Sequence, residues 1–532
     1  MTLPQPAIEL RQPPIRLRRP PIRLRQLLAA LPEPVDYSGP DPDITDVAYD
    51  SRSVQPGSLF VAVWHPGYAN DRHDFVRDAL AAGAAAVVVQ RAVDVPPGVP
   101  VVTVPSTPRA LGWLAAAHAG FPAARLGFVG VTGTDGKTTT CSLTTAVLEG
   151  AGLITGMVST VASKGVGALR ENLAHTSTPE AVEIQSLLAE TVAGGGQRAV
   201  LECTSHALDQ SRLAGCEVDV AVVTRVTHEH LDYHGTHEAY LEAKAKLLDL
   251  LRPDPAHPKV TPYPKAAVLN ADDPSYTALA ARSQAPVIGF GLRAGSGAAV
   301  QAVNVRDEGW SASCRVVSPW GEGYLTLPLP GAFNVYNALA AIAAGCTLGA
   351  SFESALHSLA GHPGVPGRME RIDLGQPFTV IVDFAHTPDA LAQALAALRR
   401  QTPGKLIAVF GSGGERDRAK RPLMGRVAFE GADYFVLTDE DPRLEDRQQI
   451  LEEIATGALA AGAGEGRQFA RIADRTEAID AALRRAGPGD AVLLAGKGHE
   501  HSIIGARSGQ LHTLPWDERE AARESLRRLG HG

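Results

Sequence analysis

The residues most able to do chemistry lie between 132 and 139, where the chain reads Thr132-Gly133-Thr134-Asp135-Gly136-Lys137-Thr138-Thr139. An apolar run at 126–131 precedes this turn, and a helix is expected after it, to about residue 149. Strand, glycine turn and helix, in that order, form a binding site for a nucleotide triphosphate. Gly133 and Gly136 let backbone N–H groups turn inward on phosphates, and the helix N-terminus adds a positive dipole end. Lys137 supplies a cation for the β- and γ-phosphates, and the Thr138 hydroxyl is a ligand for Mg²⁺. The spacing departs from G-x-x-x-x-G-K-[ST], because Val131 stands where the first glycine belongs.

A second cluster follows. Glu202 ends an apolar run at 199–202, so its carboxylate is expected at the carboxyl edge of the sheet, facing the same crevice. After another run at 218–224 come His228, Glu229, His230, Asp232 and His234, and then Lys244 and Lys246 on a helix. Imidazoles at 228, 230 and 234 have the makings of a zinc site for a hydrolase. A triphosphate loop in the same domain predicts Mg²⁺ and oxygen ligands instead. Lys244 by itself reads as a solvated helix lysine.

These groups need a scaffold. A chain of 532 residues is long enough for about three domains. With 45% hydrophobic and 20% charged residues it reads as ordinary globular material. The longest near-apolar run, 81–89, is far short of the roughly 18–20 residues of a membrane span, so no stable membrane insertion is expected. A net charge of −8 argues against a nucleic-acid partner. Five cysteines without a CxxC pair fit a reducing cytoplasm.

Residues 1–23 stand apart as a basic, proline-paired arm, expected to be disordered. Pro13-Pro14-Ile15-Arg16-Leu17-Arg18 recurs as Pro20-Pro21-Ile22-Arg23-Leu24-Arg25. A local duplication or an upstream start codon accounts for it, and the folded part is expected to begin near Leu24. From 24 to 124, strands at 58–63 and 85–89 alternate with helices, one of them at 107–120 capped by Ser106. From 125 to 362, continuous apolar strands separated by helices predict a mostly parallel sheet covered on both faces. The turn-forming stretch 361–367 reads as a hinge. From 363 to 532 the alternation restarts, with strands at 378–383, 406–410, 434–438 and 491–495. The class is α/β throughout.

Taken together, the motifs resemble the Mur ligases, most closely their tripeptide-synthetase branch, over well above nine-tenths of the chain. They are Tyr49-Asp50-Ser51-Arg52, the 132–139 loop, Glu202 to Gln210, His230 to Gly235, and Gly331 to Asn337. Pro366 to Glu370, Val382 to Asp389, Gly413 to Pro422 and Gly496 to Glu500 complete the ordered set. The resemblance implies a UDP-precursor-binding α/β domain (24–124), a central P-loop ATPase domain (125–362) and a Rossmann-like amino-acid-binding domain (363–532). It implies an ATP-dependent ligase acting in the cytoplasm as a monomer. ATP phosphorylates the D-Glu carboxylate of UDP-MurNAc-L-Ala-D-Glu, and a free diamino acid then attacks the acyl phosphate in peptidoglycan precursor synthesis.

The resemblance also assigns residues. Lys137, Lys244, His230 and Glu202 are catalytic. Gly133, Thr134, Asp135, Gly136, Lys137, Thr138 and Thr139 hold ATP, together with Asn334, Asn337, Arg368, Asp383 and His386. Mg²⁺ falls to Thr138, Glu202, His230 and Lys244, the last as a carbamate. The UDP precursor falls to Tyr49, Ser51, Ser177, Thr178, Thr204, Gln210 and Arg212. The amino acid falls to Arg416, Glu440, Asp441, Pro442, Arg443, Gly496 and Glu500. Two other readings share parts of this pattern. A folylpolyglutamate-type ligase shares the loop but lacks the Asp50-Ser51-Arg52 region. A non-catalytic precursor-binding relative would not keep Lys137, Lys244 and His230 together.

Some positions depart from the family pattern. Asp135 replaces an asparagine in the loop, and His228-Glu229 replaces an Arg-Asp pair. Arg225 and Thr176 stand where asparagines are usual. In the Glu440-Asp441-Pro442-Arg443 segment, Asp441 replaces the asparagine of the diaminopimelate-adding enzymes. A carboxylate there is costly against a carboxylate and favourable against an ammonium. L-Lysine or L-ornithine is therefore expected over meso-diaminopimelate.

Overall fold

Three sheets, each the centre of an α/β layer, follow one another along the chain. A computed structural model describes residues 20–68, 70–172, 176–227, 229–253, 257–507 and 509–532. Most of the basic arm, residues 1–19, lies outside them. Its last residues belong to the fold, contrary to the expected boundary. Ile22–Arg23 pairs antiparallel with Asp43–Ile44, and Arg23 meets Asp41 at 3.2 Å. The apolar Leu24 is buried in the first core and Ile22 packs against it.

The first sheet is four short parallel strands: Asp46–Ala48, Ser58–Val61, Ala86–Val89 and Val101–Thr103. The helix Thr107–His118 covers it, with the Ser106 hydroxyl accepting from the Arg109 N–H as a cap.

The central sheet has eleven strands among the described residues. Its middle is parallel and fully buried, as continuous Val, Ile and Leu runs require. Both ends are antiparallel, so the sheet is mostly parallel, as expected, and not wholly so. Thr155–Val158 pairs antiparallel with Ala162–Lys164, and Val300–Asp307, Ala312–Ser318 and Gly321–Leu327 form a meander. The parallel register sets Glu202 beside Val131, and Val223 beside Thr132. Three strand ends therefore open at one edge, next to the 133–136 loop. Behind it the alanine-rich helix Ala332–Thr347 packs on the helix Lys137–Gly150, its small side chains allowing close approach.

The third sheet runs Glu370–Ile372, Thr379–Asp383, Ala491–Ala495, Leu406–Phe410, Tyr434–Leu437 and Phe469–Arg471, parallel apart from the first strand. Asp383 stands level with Ala495, and Phe410 with Leu437. The loops at 384–386, 411–417, 438–443 and 496–501 thus leave a single edge, and that edge faces the central sheet's. A hairpin of Ser502–Arg507 with Gln510–Pro515 flanks it.

Candidate active site

The two edges enclose one polar cavity of about 630 Å³. One wall is the loop. Gly133 has φ +146°, and a Cβ there would fall 1.9 Å from Thr224 Oγ1; Gly136 has φ +82° and caps the following helix. Only glycine meets both demands without strain. Thr224 Oγ1 donates to the Asp135 carbonyl at 2.6 Å, and Lys137 Nζ donates to the Thr134 carbonyl at 2.6 Å. The Thr138 hydroxyl donates to Glu202 Oε2 at 2.9 Å, while the Thr160 N–H and hydroxyl bond the same carboxylate. Arg368, its guanidinium over the Phe384 ring, reaches the Thr138 hydroxyl at 3.1 Å.

Thr138 and Glu202 give a hard-oxygen pair beside a phosphate loop. That donor set fits Mg²⁺, which takes one or two protein oxygens and fills its octahedron from phosphate and water. Burial pushes the His230 imidazole down to about 4, so it is neutral and has a lone pair to offer. Among the described residues no three His, Cys, Asp or Glu side chains are grouped as a metal site, and the zinc reading also called on a residue beyond them. His228 lies outside those residues.

Lys244 is placed differently from the solvated-helix reading and does not line the cavity. It is 1% exposed beneath the loop, its Nζ donating to the Gly133 carbonyl at 2.7 Å and lying 4.3 Å from the Tyr240 ring centroid. Burial first, then the Lys137 charge, lower its pKa well below that of a free lysine. Asp135 lines the cavity with its Oδ2 buried and unpartnered, and burial with the neighbouring Glu229 raises its pKa. Burial works against the charged form of His386, but its bond to Glu229, at 3.3 Å, lifts the pKa above the ordinary value.

Ser177, Thr178, Thr204, Gln210 and Arg212 line the cavity on the side of the first domain. The Arg212 guanidinium ties this cluster together, bonding the Thr178 carbonyl at 2.8 Å, Gln210 Oε1 at 2.6 Å and Glu180 at 3.0 Å. Tyr49 and Ser51 are not on this cavity. The Tyr49 hydroxyl donates to Glu183 at 3.1 Å, where the first sheet's layer meets the helix Ala181–Ala193. Asn334 and Asn337 sit behind the loop, bonded to each other at 3.2 Å, with the Asn337 Oδ1 facing Gly136. Asp383 is not on the cavity either. Its two oxygens accept the Met369 and Ala385 N–H groups, so its carboxylate is spent on holding the hinge.

On the third sheet's side, Arg416, Glu440, Asp441, Arg443 and Glu500 line the cavity, while Pro442 and Gly496 lie behind them. Asp441 is not an open carboxylate. Its Oδ1 accepts Lys497 Nζ at 2.9 Å and the Ile504 N–H at 2.8 Å, and Lys497 also meets Glu500 at 2.5 Å. Glu440 Oε2 and Arg443 Nε are buried without hydrogen-bond partners. Among the described residues Arg443 forms no salt bridge with Glu440 or with Asp441, whose ion pair is with Lys497. Lys497, Phe384, Thr160 and Glu180 were not singled out from sequence. Lys497 lies in the quoted Gly496 to Glu500 motif, and that was the signal available for it.

A phosphate loop facing an arginine- and carboxylate-lined pocket across a two-domain cleft defines an ATP-dependent ligase. Three family descriptions match in order along the chain: "Mur ligase family, catalytic domain" at 43–119, "Mur ligase middle domain" at 131–345, and "Mur ligase, glutamate ligase domain" at 367–498. The chain is 48% identical to a UDP-N-acetylmuramyl-tripeptide synthetase of Roseiflexus sp. (strain RS-1), over 95% of this chain and 99% of that one. It is 42% identical to a UDP-N-acetylmuramoyl-L-alanyl-D-glutamate--2,6-diaminopimelate ligase of Geobacillus kaustophilus, over 95% and 99% of the two chains. A solved structure of a ligase with that second name covers 96% of this chain and 100% of its own, with TM-score 0.64 and 30% identity. The chain belongs to the Mur ligase family.

Proposed function

We propose that this chain joins a free diamino acid to the D-Glu carboxylate of UDP-MurNAc-L-Ala-D-Glu, driven by ATP. The convergence of three kinds of group on one cavity carries the reading: the phosphate loop, the Arg212 cluster, and the Arg416–Glu440–Arg443 pocket. Lys137 and the 133–139 backbone hold the triphosphate, with Arg368 and His386 reaching in from beyond the hinge. Thr138 and Glu202 would hold Mg²⁺, assisted by His230; Lys244, which lies beneath the loop, would join them only as a carbamate that reaches past it. When bound, the metal offsets phosphate charge. The Arg212 cluster orients the D-Glu carboxylate toward the γ-phosphate. Amine attack on the acyl phosphate then expels phosphate, and catalysis rests on positioning and charge neutralisation.

Residues 24–124, 125–362 and 363–532 act as the precursor, nucleotide and amino-acid domains of a cytoplasmic monomer. All five cysteines are buried free thiols, in keeping with a reducing compartment. No helix among the described residues is long and apolar enough to cross a membrane.

L-Lysine or L-ornithine is the amino acid we favour. Glu440 Oε2 is a buried carboxylate oxygen with no partner, and Asp441 and Glu500 share a single Lys497. A side chain ending in one cation satisfies that surplus of acid, and Arg416 is left for the α-carboxylate every amino acid carries. The second reading, meso-diaminopimelate, is favoured by the unpartnered Arg443 Nε, which suits a distal carboxylate. The test is phosphate release from ATP that requires both the UDP-dipeptide and an amino acid. Lys137→Ala should abolish ADP formation and leave precursor binding intact. Unchanged turnover in that variant would remove the loop assignment.

A further inference from the structure

Arg421 has no contact with the cavity and its side chain is 0% exposed. Its guanidinium nevertheless spans the two loops that deliver the pocket's arginines. Nη1 and Nη2 grip the Glu445 carboxylate in a fork, both at 2.8 Å, and Nη2 also donates to the Gly413 carbonyl at 3.1 Å. Glu445 in turn accepts the Glu415 N–H at 2.9 Å. The fork from Arg421 holds the Glu445 carboxyl down at about 2, so the tie is ionic across the working pH range.

The loops it joins are under strain. Glu415, next to Arg416, has φ +54°, and so has Arg443. Non-glycine residues hold that conformation only where their surroundings over-determine it. The loops also meet backbone to backbone. The Gly414 N–H donates to the Asp441 carbonyl at 2.8 Å, and a Cβ on Gly414 would fall 2.0 Å from the Pro442 carbonyl oxygen. Arg421 has a second acid partner, Glu453 at 2.7 Å, which also bonds the Arg418 side chain but holds no backbone group of 411–417 or 438–445.

We propose that Arg421, through Glu445, is a positioning residue that sets the spacing of Arg416 from Glu440 and Arg443, and so governs recognition of the incoming amino acid. This rests on the amino-acid pocket proposed above. Two variants remove the same charge beside the same guanidinium: Glu445→Gln loosens the loops, and Glu453→Gln does not. Initial rates of phosphate release, with each substrate varied in turn, separate the cases. Glu445→Gln should raise KM for the amino acid about tenfold or more, leaving KM for ATP and for the UDP-dipeptide within twofold. Glu453→Gln should leave all three within twofold, with thermal melts showing both variants folded. The proposal is overturned if both variants shift the amino-acid KM equally, or if Glu445→Gln shifts none or all three. Arg416→Ala distinguishes the underlying reading. An unchanged amino-acid KM there means the pocket is wrongly placed. A raised KM there with a silent Glu445→Gln means only the tie is wrong.

Discussion

Lys244 Nζ lies 2.7 Å from the Gly133 carbonyl oxygen, under the phosphate loop and sealed from solvent. A charged ammonium there is disfavoured by burial and by Lys137, so the neutral amine, the form that reacts with CO₂, is readily reached. Carbamylation would place a carboxylate beneath the loop. We expect Lys244→Ala to lose nearly all turnover and to be partly rescued by a short carboxylate in solution. Labelling with ¹³C-bicarbonate should give a carbamate carbon signal in the unmodified protein and none in the variant. Full activity with a plain lysine at 244 would refute this.

Asp135 carries a buried, unpartnered Oδ2 next to the loop lysine. An acid at that place opposes phosphate whenever it ionises, and an asparagine does not. Asp135→Asn is expected to lower KM for ATP by a few-fold, with kcat held within about threefold. A higher KM in the variant would mean that the Asp135 carboxylate serves the nucleotide directly.

The choice of amino acid is testable by parallel ligation of L-lysine, L-ornithine and meso-diaminopimelate. Either basic amino acid should give the highest kcat/KM, and the two are expected to lie close together, since one methylene discriminates weakly. Asp441→Asn leaves Lys497 with Glu500 alone. It should move the preference toward meso-diaminopimelate by about tenfold. If meso-diaminopimelate is the best substrate of the unmodified enzyme, Arg443 dominates the pocket and the charge argument fails.

His362, at the hinge, is held neutral. Its Nδ1 accepts the Gly364 N–H at 3.1 Å, so the proton sits on Nε2, facing the Ser142 hydroxyl at 3.1 Å. Burial pushes its pKa from 6.5 down to about 4. Below pH 6.5 the unfolded chain gains a proton that the folded chain refuses until about pH 4. Its stabilisation is therefore complete above pH 6.5 and lost as pH falls toward 4, by on the order of 3 kcal/mol. Urea unfolding from pH 7 to 4.5 should show a steeper loss in the unmodified protein than in His362→Gln. Parallel curves would remove the effect.

Much of the site was legible as residue types at fixed spacings. The loop from Thr132 to Thr139, Glu202 at a strand's end and the two acids and one arginine of 440–443 announce themselves, because a strand-to-helix turn and a strand end are local events. The parallel middle of the central sheet was legible for the same reason, since continuous Val, Ile and Leu runs fit only a sheet covered on both faces. Tertiary structure alone decided who partners whom. The Asp441 carboxylate faces Lys497, 56 positions away, and Arg421 locks 413–415 to 445. Lys244 passes from a solvated helix reading to a buried one because its helix packs under a loop 111 residues earlier. Asp383, for its part, spends both oxygens on hinge amides. Local sequence sets backbone periodicity and which groups can ionise. Whether a charge meets water, a partner or a substrate depends on packing between segments far apart in the chain, and that packing exists only once the three sheets have closed on one cavity.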